Sequence, residues 1–76
     1  MRFRLTALLI KEEKGYTSYC PELGVASQGE TVEEALKNLK EAVKLYLETA
    51  KELGVLEEKV LTTNKEALPS IIEVEV

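Results

Sequence analysis

"YTSYCPELGVASQGETVEEAL", residues 16–36, is the stretch whose reading decides the fold. Tyr16 to Cys20 is aromatic and Thr-rich, the composition of a strand. Pro21 has no N–H to give a sheet ladder and Gly24 tolerates a positive φ, so "PELG" turns the chain into a second short strand, Val25 to Gly29. Thr31 and Glu34 then form a T-x-x-E capping box, in which hydroxyl and carboxylate satisfy backbone N–H groups at a helix start. The stretch therefore predicts strand, turn, strand, helix.

Downstream the helix pattern is long. Val32, Ala35, Leu36, Leu39, Ala42, Val43, Tyr46, Leu47, Ala50 and Leu53 recur at three and four, and Gly54 supplies the stop. The opposite face carries Glu33 with Lys37 and Lys44 with Glu48 at i,i+4, a solvated face with about 0.2–0.5 kcal/mol per pair. From Val32 to Leu53 the helix spans about 33 Å, whereas a strand of six or seven residues covers roughly 20 Å. Its last turns overhang the sheet, so a second subunit or the following segment is expected against Tyr46, Leu47, Ala50 and Leu53. Leu45 is a further apolar residue off the stripe.

Upstream, "RFRLTALLIK", residues 2–11, alternates. Phe3, Leu5, Ala7 and Leu9 fall on one face and Arg2, Arg4 and Thr6 on the other, joined by Leu8 and Ile10. This reads as one strand, linked by "EEKG" to Tyr16–Cys20 as a hairpin. At the other end "SIIEVEV" alternates Ile72, Val74 and Val76 with Glu73 and Glu75, a closing strand introduced by Pro69. Beside the first strand, its glutamates would pair with Arg2 and Arg4. Residues 55–70, "VLEEKVLTTNKEALPS", have no sustained period, which suggests a segment that caps or binds something.

The expected fold is thus α+β in two layers, order β-β-β-α-β: a three-stranded antiparallel meander plus a C-terminal strand beside strand one, with one long helix on one sheet face. The other face stays open, exposing Leu8, Ile10 and Ile71. At 76 residues the chain is one domain, 1–76, with a thin core, and such scaffolds gain from association. Leu8, Ile10, Leu45, Tyr46 and Leu53 are the candidate oligomer contacts of a homodimer or tetramer.

Composition narrows the chemistry. There is no His, no Asp and no Trp, and all fourteen acids are Glu. Ser-His and Cys-His nucleophile activation cannot be built, and a lone Cys20 without His makes no zinc site. Cys20 reads as a small apolar filler, because a nucleophile needs a base, a metal or a helix N-terminus to lower its pKa. Glu22 and Glu30 read as surface turn residues, since a catalytic carboxylate pair needs a water-excluding cleft. No catalytic residue, metal or cofactor is expected.

A formal charge of −4 opposes a direct grip on nucleic acid and suits a basic partner. The longest apolar run, Ala7 to Ile10, is too short for a signal peptide or a spanning helix, so the expected location is the cytoplasm, with a free thiol. The Glu- and Lys-rich surface hints at a heat-tolerant source, a thermophile.

With these residues in place, "YTSYCPELGVASQGETVEEALKNLKEAVKLYLE", residues 16–48, resembles the HicB family of bacterial and archaeal antitoxins. The resemblance is carried by Tyr19-x-Pro21-Glu22-Leu23-Gly24, then Gly29-x-Thr31, then Glu33-Glu34-Ala35, Asn38-Leu39 and Glu41-Ala42. It implies a partial ribonuclease-H-like fold without nuclease activity, in which Gly24, Gly29, Thr31 and Glu34 serve the architecture, as Gly54 does by its place at the helix stop. It also implies a partner, a small basic toxin of the HicA type that cuts mRNA and is masked by the antitoxin in a type II toxin-antitoxin system. Tyr16, Tyr19, Pro21, Glu22 and Leu23 are the candidate partner-binding residues. Longer members carry a C-terminal DNA-binding domain; none is expected in residues 1–76. The alternative is a stand-alone structural or regulatory homo-oligomer.

Overall fold

The structure, a computed structural model, describes residues 2–54 and 70–76. Its elements are β1 (Arg2–Thr6), β2 (Leu8–Glu12), β3 (Gly15–Cys20), β4 (Val25–Gly29), α1 (Val32–Leu53) and β5 (Ile71–Glu75). The fold is the expected α+β arrangement: β2, β3 and β4 form an antiparallel meander, β5 pairs antiparallel with β1, and the helix covers one face. The segment read as capping or binding something, residues 55–70, lies outside the described residues except for Ser70.

One expectation is corrected. Residues 2–11 are not a single strand but two, parted at Ala7. Each half has its own partner: β1 lies on β5 with Thr6 opposite Ile71, and β2 lies on β3 with Leu8 opposite Tyr19. At the break the backbone bonds elsewhere. The Thr6 N–H donates to the Glu22 carboxylate and the Ala7 N–H to the Ser70 carbonyl, so the ladder is interrupted where a side chain substitutes for a strand.

The helix starts and stops where its caps require. The Thr31 hydroxyl accepts the Glu34 N–H at 3.0 Å. The Glu34 carboxylate reaches one residue further back than the usual box, accepting the Glu30 N–H at 2.7 Å. At the far end Gly54 has φ 73°, and its N–H returns to the Ala50 and Lys51 carbonyls. Ala35, Leu39, Val43 and Leu47 are the buried helix residues, one per turn. Leu39, Val43 and Leu47 pack with Phe3, Leu5, Ala7, Cys20, Ile72 and Val74 into a single core.

The helix lies close to the sheet at its start because of Gly29. A Cβ there would come within 2.5 Å of the Ala35 nitrogen, a distance no side chain tolerates. The same approach brings Ser18, fully buried, to donate its hydroxyl to the Ala35 carbonyl at 2.8 Å. Asn38 donates its side-chain amide to the Gln28 carbonyl at 2.7 Å, a second tie between helix and β4. Across β1 and β5 the expected pairs form, Arg2 with Glu75 at 3.7 Å and Arg4 with Glu73 at 3.5 Å. Both are mostly exposed and contribute on the order of a few tenths of a kcal/mol. The helix pairs Glu33–Lys37 and Lys44–Glu48 do not close to ion-pair distance; among the described residues the two strand pairs are the ones that do.

Candidate functional site

Three surfaces carry the candidate residues, and each follows from strand parity or helix spacing. The first is the corner joining β3 to β4. The Leu23 and Gly24 N–H groups both donate to the Cys20 carbonyl, at 3.3 and 2.8 Å, and Gly24 takes φ 69°, which folds "PELG" tightly. Pro21 stays exposed, whereas Leu23 packs against the core.

Glu22 was expected as a surface turn residue; it is half-buried and turned inward. Its carboxylate accepts the Thr6 N–H at 3.1 and 3.0 Å, the Thr6 hydroxyl at 2.7 Å and the Cys20 thiol at 3.5 Å. Burial by itself would raise its pKa. The donors from the Thr6 side chain and backbone outweigh that and hold the carboxyl below its ordinary value. What Glu22 does is latch the corner onto the break between β1 and β2.

Cys20 is fully buried. Burial, reinforced by the Glu22 charge and opposed by a hydrogen bond at the Leu23 backbone, pushes the thiol up to about 11. Such a group stays almost wholly protonated near neutrality, and the thiolate is the nucleophilic form. Among the described residues no three acidic or thiol side chains converge on a point where a metal would sit.

The second surface is the uncovered face of the meander. Ser18 bonds the helix, so its neighbours in alternation, Thr17 and Tyr19, point the other way. By register Leu8 and Ala26 flank Tyr19, and Ile10 and Gln28 flank Thr17. Ile71 lies outward on β5, opposite Thr6. Ile10 is 51% exposed and Tyr19 36%, an apolar face with nothing over it among the described residues, and Ile71, in the separate β1–β5 pair, is 48% exposed. Tyr16, of opposite parity to Tyr19, lies half-buried on the helix side, its ring 5.1 Å from the Lys11 ammonium. The two tyrosines therefore serve different faces, and the corner residues do not gather into one patch: Tyr19 and Pro21 reach the surface, Tyr16, Glu22 and Leu23 are engaged by the fold.

The third surface is a groove of about 470 Å³ between the last turns of α1 and the start of β4, where Thr49 joins a lining of Val25, Ala42, Leu45, Tyr46, Ala50 and Leu53. Leu45, Tyr46 and Leu53 are thus set apart from Leu8 and Ile10, on another layer of the molecule. A polar hollow of about 650 Å³ also opens beside the helix start, with Tyr16, Gln28, Glu30 and Asn38 on its walls. There the Thr31 hydroxyl takes the Glu34 N–H and the Glu34 carboxylate the Glu30 N–H, and the acids repel anions. Ser18 and Asn38, the two side chains that hold sheet to helix, were not singled out from the sequence as ties. A small hydroxyl within an aromatic strand is the signal that would have marked Ser18.

The arrangement defines a small two-layer α+β domain in which the described polar side chains largely serve the fold and apolar side chains are exposed on two surfaces. Its relationships are equally spare. Residues 6–71 match a family described as a family of unknown function (DUF7387), and the chain belongs to that family. It is 47% identical over 58 residues to a UPF0150 protein of Helicobacter pylori (strain J99), covering 72% of this chain and 81% of the relative. Two Synechocystis proteins are also similar: UPF0150 protein ssr1765, 49% identical over 49 residues, covering 62% of each chain, and UPF0150 protein ssl0738, 42% identical over 50 residues, covering 63% of this chain and 69% of that one. No solved structure matches the chain significantly. No described helix is long and apolar enough to cross a membrane.

Proposed function

We propose that the chain is a non-catalytic binding module, an antitoxin of the HicB kind acting in the cytoplasm, which masks a small basic HicA-type mRNA-cleaving partner. The observation that carries this reading is the uncovered sheet face on an acidic chain. Tyr19, Ile10 and Ile71 supply apolar area for a contact, while a net charge of −4 attracts a cationic protein. With no imidazole, and its one thiol buried and protonated, the chain has little with which to transform a substrate. Covering a partner needs none of these groups, nor a cofactor.

The test is to purify the chain with the product of the reading frame beside its gene and to measure cleavage of mRNA by that product. Stoichiometric suppression is expected, weakened by the double substitution Ile10→Ser and Tyr19→Ala and by raised salt. Cleavage unaffected by the chain, or a neighbouring product that is neither small nor basic, refutes the proposal.

The same face supports a second reading, a homo-oligomer in which two copies bury Ile10 and Ile71 against each other. Light scattering across dilution, with and without the candidate partner, separates them. A particle that stays larger than one chain and does not change with the partner favours the oligomer.

A further inference from the structure

We infer that the outer edge of β5 pairs with the same edge of a second copy of this chain, about a two-fold axis, so that two copies share one continuous sheet. This does not rest on the readings above: it uses the edge of the sheet and leaves the uncovered face open to a partner.

One hydrogen bond fixes which backbone groups point outward. The Ala7 N–H donates to the Ser70 carbonyl at 3.0 Å, in the register that sets Thr6 opposite Ile71. Bonded and non-bonded pairs alternate along an antiparallel ladder. Ser70, Ile72 and Val74 therefore turn their N–H and carbonyl groups to β1, while Ile71, Glu73 and Glu75 turn theirs away. Among the described residues β1 is the one strand beside β5. The outward edge is a row of unpaired ladder groups, and what such a row specifies is another extended backbone.

The side chains around that edge select a copy of the chain itself, because they are self-complementary under a two-fold rotation. With the axis at Glu73, an antiparallel copy sets Glu73 against Glu73 and Ile71 against Glu75, each pair exchanging both backbone bonds. On the helix side Ile72 then lies beside Val74 of the copy, and the apolar stripe of β5 runs on across the axis. The glutamates do not bar the approach, since Glu73 and Glu75 are already paired with Arg4 and Arg2 at 3.5 and 3.7 Å. Above the same edge opens a hollow of about 310 Å³, lined by Val74 with Lys37, Lys40, Glu41 and Lys44. Acid and lysines are mixed along this flank, so it suits neither a wholly acidic nor a wholly basic partner. Val74 is level with the flank's middle, and an axis at the neighbouring Glu73 turns the flank end for end. Lys40 of each copy thereby meets Glu41 of the other. Lys37 faces Lys44 at the two ends, where both are exposed and Glu33 and Glu48 stand four residues away on the helix.

The test is amide hydrogen exchange on the full chain across dilution, read beside light scattering. A dimer is expected, and the Ile71, Glu73 and Glu75 amides should gain about tenfold protection as it forms, while the Ile72 and Val74 amides are protected in both states. Glu73→Pro takes away an outward N–H without touching the bonds to β1 and should leave a folded monomer. Glu73→Gln keeps the ladder and should remain a dimer. Lys40→Glu should weaken the dimer about tenfold at low salt, and Lys40→Glu with Glu41→Lys should restore it. A chain that is monomeric at every concentration overturns the inference. So do outward amides that exchange equally fast in monomer and dimer, or protection that does not depend on concentration, the mark of an edge covered within one chain. A dimer that Ile10→Ser dissociates and Glu73→Pro leaves intact belongs to the uncovered face and overturns it as well. Should Glu73→Pro fail to fold, the exchange pattern of the unaltered chain decides.

Discussion

Replacing Glu22 by Ala removes one carboxylate and strands both Thr6 donors, along with the weak donor of the Cys20 thiol. In the native chain that carboxylate accepts both the N–H and the hydroxyl of Thr6, and Thr6 is only 2% exposed. A buried donor left without an acceptor costs about 1–3 kcal/mol. Glu22 is itself half-buried, so water reaches part of the vacated space and the lower end applies to each donor. The expected loss is about 2–3 kcal/mol, a large share of the roughly 4–11 kcal/mol that stabilises a domain of this size. Thermal midpoints should fall by roughly 10–20 °C.

Glu22→Gln keeps one carbonyl acceptor and is expected to lose about half as much. The pH dependence follows from the lowered pKa of Glu22. A carboxyl with its folded value below its unfolded one stabilises above the unfolded value, and that stability is lost as pH falls through the folded value. Urea titrations at neutral pH and below pH ~3 are the assay. The gap between wild type and Glu22→Gln should be present at neutral pH and shrink in acid. Equal urea midpoints at neutral pH would refute the latch. So would a Thr6→Val change that adds its full cost on top of Glu22→Ala, since residues sharing one interaction are not additive.

Three further outcomes are expected. Gly29→Ala forces a methyl to within 2.5 Å of the Ala35 nitrogen and should cost about 1–3 kcal/mol by prying the helix start from β4, visible as a lowered thermal midpoint and lost protection of the Ser18 region in hydrogen exchange. Leu39→Ala empties a fully buried site and should cost about 2–5 kcal/mol in denaturant titration, whereas Leu45→Ala, at a site 65% exposed, should cost under about 0.5. Cys20, buried and with its thiol raised to about 11, should resist alkylation near neutral pH and react promptly once the chain is unfolded in urea; rapid labelling of the folded chain would contradict its burial.

The helix was legible because its information is local. Thr31, Glu34 and Gly54 announce its ends and the three-four spacing announces its face, so its limits agree with the structure, Val32–Leu53. Parity along Phe3 to Ile10 likewise placed Phe3, Leu5 and Ala7 inside and Ile10 outside. The break at Ala7 was not legible. Alternation passes through it undisturbed, and the cause is Glu22, sixteen residues from Thr6, whose role depends on the corner folding back over the first strand. For the same reason Glu22 read as a solvated turn residue and Ser18 as one more hydroxyl in a strand. The tyrosines show the mixed case: strand alternation sets positions 16 and 19 on opposite faces, and only the Ser18 contact with Ala35 decides which of them faces the helix.

By itself, then, the order of residues determined a meander, a capped helix and a closing strand, because hydrophobic period and cap chemistry act over a few positions along the chain. It also determined an acidic molecule without imidazole, since composition needs no fold. Tertiary structure alone decided where the first strand divides, that a glutamate became a latch, and that two apolar surfaces lie on different layers. Those outcomes depend on which distant groups meet in low dielectric, and that proximity is a property of the packed chain.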